Sequence, residues 1–387
     1  MSRRPRARSA RGHSRVGERF EALVGPVAHG GHCIVRLPEP ESRVVFTRHC
    51  LPGEQVVVEI TEGTDGDRFW RGDAIAVLSP SPDRVPAPCP VAGPGLCGGC
   101  DFQHASLSAQ RDLKGAVVAE QLRRLAGLDV EVSVEAVPGD LDGLRWRTRM
   151  QWAHTPDGQR GLRAHRSRRV VPVDDCLIAT RDAREPTRGL TLTETVADHD
   201  FAVEADGFWQ VHPGAPSTLV STVMSMLDPQ PGERVLDLYA GVGLFARFLA
   251  DAVGDGTRVV AIEGDRAASG HAKQNLASHR GAVAVCGPVE KVLAAAYDEP
   301  FDLVVLDPPR EGAKRAVVAQ VVDRAPRAVA YVACDPAALA RDVAIFAEHG
   351  YRLEQLRAFD VFPMTHHFEC VALFKKTDLP LDQPLRR

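Results

Sequence analysis

The sequence has no apolar run long enough to cross a bilayer, so no membrane role is expected. Its N-terminus lacks the apolar core of a signal peptide, which predicts a cytoplasmic protein. The net charge of -4 offers nucleic acid no whole-protein attraction. Nine cysteines in a chain of this character do not read as a disulfide framework. What is present is ordinary and globular: 387 residues, 44% hydrophobic and 25% charged, enough for two or three domains with ample core. A monomer is expected.

Charge is unevenly spread. Residues 1 to 15 carry six arginines and no acid. This predicts a disordered basic arm over 1–16, suited to touching phosphates or to keeping the chain in solution. From Glu18 to Leu78 the pattern is all-β. Short alternating segments (Arg43 to Thr47, Gln55 to Ile60, Asp73 to Leu78) are separated by Gly- and Pro-bearing turns, as in a small barrel over 17–79. Four prolines between Ser79 and Pro88 read as a linker.

Three cysteines then fall within twelve residues, in Cys89-Pro-Val-Ala-Gly-Pro-Gly-Leu-Cys97-Gly-Gly-Cys100. Glycines here permit close backbone approach, and the spacing is that of a metal site. Cys176 is the candidate fourth ligand. All-thiolate ligation fits a [4Fe–4S] cluster or a Cys₄ zinc site, and spacing does not choose between them. Ser106 to Ala126 is a predicted amphipathic helix, with Leu113, Val117, Leu122 and Leu125 near helical spacing; it packs on core rather than on a partner. A second basic run follows: Arg145, Arg147, Arg149, Arg160, Arg163, Arg166, Arg168 and Arg169, interleaved with Trp146 and Trp152. Such a composition suits phosphate contact with base stacking in an RNA groove.

After Gly232 strands alternate with helices, which predicts a parallel, doubly wound sheet. In Arg234-Val-Leu-Asp-Leu-Tyr-Ala-Gly-Val-Gly-Leu244, Gly241 and Gly243 let backbone approach a ligand where a helix starts. The next strand ends at Glu263, placed to accept ribose hydroxyls. The third glycine of the dinucleotide fingerprint is missing, which favours S-adenosylmethionine over NAD. Phe301-Asp-Leu-Val-Val-Leu-Asp-Pro-Pro-Arg310 brings the Asp307 carboxylate to the end of the fourth strand, where it can hold a substrate's polar edge. At the fifth strand the apolar run Ala328 to Ala333 ends at Cys334; Asp335 suits an N-cap and Pro336 the first helical position, with helix from Ala337 to Glu348. Helix N-terminal N–H groups favour a thiolate there, and Asp335 partly opposes this.

Val24-Gly-Pro-Val-Ala-His-Gly-Gly31 followed by Leu51-Pro-Gly-Glu-Gln-Val56 resembles a TRAM domain, a small OB-like barrel; the resemblance implies RNA binding. From about residue 17 to 376 the chain resembles the class I RNA uridine-5-methyltransferase family. The resemblance rests on that barrel, the four cysteines, Phe208-Trp-Gln-Val-His212, Asp237-Leu-Tyr-Ala-Gly241, Asp307-Pro-Pro-Arg310, Cys334-Asp-Pro336 and Phe362-Pro-Met-Thr-His-His-Phe-Glu369. It implies an α/β, Rossmann-like doubly wound methyltransferase domain over 207–377, a small central α+β cluster-binding domain over 80–206, and a tail at 378–387. It implies Cys334 as nucleophile, Glu369 as base, and Gln210, Tyr239, Gly241, Glu263 and Asp307 against S-adenosylmethionine or the target base. It also implies a [4Fe–4S] cluster on Cys89, Cys97, Cys100 and Cys176, and 23S rRNA as substrate, with tRNA as the alternative.

The sequence departs from the family where Ala240 replaces Cys and Leu244 replaces Asn. It departs again where His212 and Pro288 stand in place of a common Asn. Rival families fit less well. A 5-methylcytosine enzyme carries a Cys after the Pro of the fourth-strand motif, and an amino-group methyltransferase ends that motif in an aromatic residue. A methylthiotransferase spaces its first two cysteines by three residues, whereas seven separate Cys89 from Cys97. A non-catalytic RNA-binding module would not need the Cys334 and Glu369 pair.

Overall fold

The computed structural model describes residues 12–38 and 40–377. Two compact units divide the chain. The first holds the described residues up to Leu113, with Trp152–Leu177 and Pro363–His366; the second holds Lys114–Gln151, Ile178–Phe362 and the described residues from His367 on.

In the first unit, β1 (Arg19–Ala28), β2 (His32–Arg36), β3 (Val44–Arg48), β4 (Gln55–Glu62) and β5 (Phe69–Ser79) close a barrel in the order β1-β2-β3-β5-β4. Alternation builds it: Val35, Val45, Val56, Val58, Ile60 and Trp70 point inward and are almost wholly buried. Most of the predicted basic arm lies outside the described residues. The described part is tied down, with Ser14 bridged to Thr64 and Arg15 paired with Asp65 at 2.5 Å. The Pro-rich linker is also held. Arg84 clamps the fully buried Glu54 through two hydrogen bonds, at 2.5 and 2.7 Å.

Helix α1 (Leu107–Ala126) crosses the unit boundary within its own length. Its first turns put Ala109 and Leu113 against Leu51 and Ala105 in the first unit, whereas Val118 and Leu122 enter the core of the second. The strand β6 (Val134–Ala136) then joins the edge of the large sheet, and β7 (Arg147–Arg149) follows in the second unit. The strands β8 (Ala153–His154), β9 (Arg160–Arg163) and β10 (Val170–Pro172) form a small sheet in the first unit. Next come β11 (Ala179–Arg184), which pairs with β7, and the hairpin β12 (Thr191–Val196) and β13 (His199–Glu204). Residues 80–206 are thus shared between the two units rather than set apart as a third. The reason is hydrophobic: Val118, Leu122, Phe201 and Val203 complete the cores on either side of the large sheet.

The second unit continues with α2 (Ala215–Leu227), β14 (Val235–Leu238), α3 (Leu244–Val253), β15 (Val259–Glu263) and α4 (Arg266–Asn275). After these come β16 (Ala282–Cys286), α5 (Val289–Ala295), β17 (Leu303–Leu306), α6 (Lys314–Asp323), β18 (Ala328–Ala333), α7 (Pro336–Glu348), β19 (Tyr351–Asp360) and β20 (Glu369–Lys376). The sheet runs β16-β15-β14-β17-β18-β20-β19-β6; β14 to β18 pair in parallel, and β20 is antiparallel to both neighbours. Strand order reverses between β14 and β17. That is the topological switch point, where ligands bind outside the carboxyl ends.

Lys114 of α1 is buried and ion-paired to the equally buried Asp360 at the end of β19, and it also donates to the Phe362 carbonyl at 3.2 Å. K114M leaves that carboxylate buried without its cation, so it is expected to destabilise the protein by about 3–5 kcal/mol in denaturant unfolding.

Candidate active site

Strand β18 is buried at all six positions, and α7 begins at Pro336, the first helical position expected from the sequence. Asp335 caps the helix by accepting from the Ala338 N–H at 2.8 Å. Cys334 therefore sits at the strand-to-helix junction. In the antiparallel pairing of β18 with β20, Ala333 lies opposite Cys370. Continuing that register by one residue sets Cys334 opposite Glu369. Directly opposed positions of an antiparallel pair place their side chains on one face, about 5 Å apart at Cβ.

Electrostatics agree with this placement. Burial, then the Glu369 and Asp307 carboxylates, push the Cys334 thiol up to about 12, while the Arg310 guanidinium pulls the other way. Burial and the Asp307 charge hold Glu369 well above the usual carboxylate range, again opposed by Arg310. In the free protein the thiol is thus mainly protonated at neutral pH. Alkylation of Cys334 by iodoacetamide, followed peptide by peptide, is expected to climb with pH beyond 9 without a plateau. In E369Q, with one opposing carboxylate removed, the profile should move to lower pH.

The switch point supplies the second half of the site. Pairings Leu238 with Ile262 and Leu238 with Leu306 bring the next residues, Tyr239, Glu263 and Asp307, into one row at the carboxyl edge. Tyr239 has φ 61, and Gly241 has φ 55 with open space where a Cβ would stand. A side chain at 241 would fill the room through which a ligand approaches backbone. Both Glu263 oxygens already organise this turn, accepting from the Gly241 N–H at 2.8 Å and the Asp265 N–H at 2.6 Å. A carboxylate offers about four lone-pair sites, so acceptor capacity for ribose hydroxyls remains. Gln210 is buried. Burial, with the Glu263 charge, raises Asp307 to about 7, so near neutrality it can either donate or accept.

The thiols of Cys89, Cys97, Cys100 and Cys176 all lie in the first unit. They feel one another: burial first, then Cys176 and Cys89, raise the Cys97 thiol. Burial, with Cys176 and Cys97, raises that of Cys100 to about 12. The Gly99 N–H approaches the Cys97 sulfur at 3.4 Å. Among the described residues, no three His, Cys, Asp or Glu side chains converge closely enough to hold a single metal ion.

A family model described as tRNA (uracil-5-)-methyltransferase matches residues 292–377, a methyltransferase small domain matches 217–331, and a TRAM domain matches 13–75. An uncharacterised RNA methyltransferase of Streptomyces coelicolor is 44% identical over 94% of this chain and 94% of its own length. The chain belongs to the S-adenosylmethionine-dependent RNA (uracil-C5)-methyltransferase family. A 23S rRNA (uracil(1939)-C(5))-methyltransferase of Shewanella sp. (strain ANA-3) is 29% identical over 89% of this chain and 93% of its own. Among solved structures, the Pyrococcus abyssi tRNA (uracil-54, C5)-methyltransferase with S-adenosyl-L-homocysteine superposes at TM-score 0.68. At 20% identity it covers 92% of this chain and 100% of that one, and shows the shared fold.

Most of the positions at which this methyltransferase departs from its family are filled for packing. Leu244 opens α3 inside the core and Ala240 is buried, whereas Pro288 is exposed at the N-cap of α5. His212 is buried, stacks on Trp146 and accepts from the Gly214 N–H at 3.1 Å. Trp146 corrects an expectation. It is 3% exposed and wedged between His212 and Phe362, so it is no platform for a base. Trp152 carries the Arg160 guanidinium on its face at 4.3 Å. Several run arginines serve backbone carbonyls instead: Arg145 that of Ala179, Arg149 that of Gly207 and Arg169 that of Gly95. Arg163 and Arg168 stay exposed.

Sequence reasoning quoted Asp237 within a motif but gave it no role of its own. It is wholly buried under the glycine turn, and one oxygen accepts from the Ala246 N–H at 2.9 Å while the other has no partner. Burial, with the Asp307 and Glu263 charges, pushes it up to about 8, so it is largely protonated at neutral pH. A charged residue inside an otherwise apolar strand, Val235-Leu-Asp-Leu238, was the available signal.

Proposed function

We propose that this chain methylates C5 of a uridine in RNA, with Cys334 as nucleophile and Glu369 as base. The observation that carries the reading is the opposition of Cys334 and Glu369 at the carboxyl edge of the sheet, beside Asp307 at the switch point. Uracil C5 is too weak a nucleophile to take a methyl unaided. Addition of the Cys334 thiolate to C6 moves the C5–C6 electrons toward C5 and O4, giving an enolate-like carbon. S-adenosylmethionine supplies an electrophilic methyl on a sulfonium, which departs as a neutral thioether. Glu369 then takes the C5 proton; the released pair re-forms the C5–C6 double bond and expels Cys334. Asp307 holds the polar edge of the base. Gln210, Tyr239, Gly241 and Glu263 are assigned to the methyl donor. The uracil has to leave its stack to enter, which costs a few kcal/mol and favours loop substrates.

The RNA we assign is 23S rRNA, supported by the 29% identical Shewanella relative that carries this specificity over most of both chains. Incubating the protein with labelled methyl donor and separated RNA fractions tests this: label in 5-methyluridine of 23S rRNA is expected. Label only in tRNA would move the substrate, and no transfer would leave an RNA-binding module.

We assign Cys89, Cys97, Cys100 and Cys176 to a [4Fe–4S] cluster. The proximity of Cys176 to Cys97 and Cys100, of Cys89 to Cys97, and the N–H donated to the Cys97 sulfur support it. The buried Arg48 guanidinium, ion-paired to Asp101 at 3.5 Å, also places positive charge near Cys97. The cluster would tie segment 89–100 to Cys176, with no step of methyl transfer routed through it. Iron and sulfide in equal amounts, lost in C97S together with thermal stability, are expected; zinc in place of iron would contradict the assignment.

A further inference from the structure

Residues 364–366, only a few positions before Glu369, are seized by the cysteine-bearing segment. The Asp101 and Phe102 N–H groups both donate to the Met364 carbonyl at 3.0 Å. The Met364 N–H donates to the Gln110 side chain at 2.8 Å. One Asp101 oxygen accepts from both the ring Nδ1 (2.6 Å) and the backbone N–H (3.2 Å) of His366. The ring tautomer follows, because a carboxylate oxygen can only accept. The other Asp101 oxygen faces the buried Arg48 at 3.5 Å. Gly31 completes the seat: a Cβ there would stand 2.7 Å from that of His366. Met364 is held at φ 67, a conformation costly for a side-chain-bearing residue unless its surroundings enforce it. All of these groups lie in the first unit.

We propose that Asp101 is a positioning residue: by clasping His366 it fixes the loop that delivers Glu369, and so links the cysteine segment to proton removal. The inference rests on the reading of Glu369 as base. The role needs the carboxylate to accept two bonds from one residue while it is itself oriented by Arg48. It does not require Asp101 to touch uracil or the methyl donor. A base displaced by this loosening still permits the earlier steps, in which Cys334 bonds to C6 and C5 takes the methyl. The C5 proton then leaves slowly, and the protein stays bonded to RNA.

Full-length D101A and H366A, assayed with methyl-labelled S-adenosylmethionine and total RNA from cells deleted for this protein, test it. E369Q is run as the reference. Turnover is expected to fall roughly 10- to 100-fold in both clasp variants, with labelled protein–RNA adduct that survives denaturation accumulating as in E369Q. H366A breaks the clasp away from the thiols, so it stays informative if D101A fails to fold. Unchanged turnover in H366A, or parallel loss of adduct and turnover, overturns the positioning role while E369Q still traps adduct. Absence of adduct in E369Q overturns the base assignment and this inference with it.

Discussion

C334A is expected to lose turnover by about 10⁴-fold or more, while RNA and methyl-donor binding survive. The size follows from chemistry. Without a bond to C6 the ring stays aromatic-like, and no group at the site can otherwise raise electron density at C5. Binding survives because Cys334 is small, only half-buried and at the end of a strand whose six buried residues hold the fold without it. Cys370 is no substitute. It lies opposite Ala333, one residue along, and is wholly buried; successive strand residues face opposite sides. Burial, with the Glu369 and Cys334 charges, moves its thiol far up as well. Single-turnover kinetics with labelled methyl donor check the loss, and filter binding checks the RNA.

E369Q is expected to stall after methyl transfer rather than before it, with steady-state turnover down about 10²–10⁴-fold. Glutamine keeps the size and polarity of the buried side chain but cannot take the C5 proton, so elimination of Cys334 has no driver. The same change removes a carboxylate that disfavours the thiolate, so the first step should be no slower. A denaturant-stable adduct bearing the transferred methyl is the expected product. Two outcomes thus separate the residues: C334A forms no adduct, and E369Q forms one that persists.

What was legible in the sequence was local. An apolar run closed by Asp335 and Pro336 placed Cys334 correctly at the junction because strand burial and N-cap chemistry are decided within a few residues. Glycines after β14 and the acid ending β15 marked the carboxyl edge at the switch point for the same reason. The clasp of Asp101 on His366 joins residues 265 apart, and the Lys114–Asp360 pair joins residues 246 apart; neither has a short-range signal. Trp146 shows the opposite error. Its arginine neighbours suggested an exposed stacking face, yet it fills a gap between His212 and Phe362 that only the tertiary fold creates. Glu263 was read as a ribose acceptor, and its first duty proved to be shaping the Gly241 turn.

The most direct test of the account is mass spectrometry of the nuclease- and protease-digested E369Q–RNA adduct. The expected result is a methylated uridine on the peptide from Ala328 to Arg341, attached at Cys334. Attachment at Cys370 or any other cysteine, or 5-methyluridine forming at the normal rate with no adduct, would contradict it.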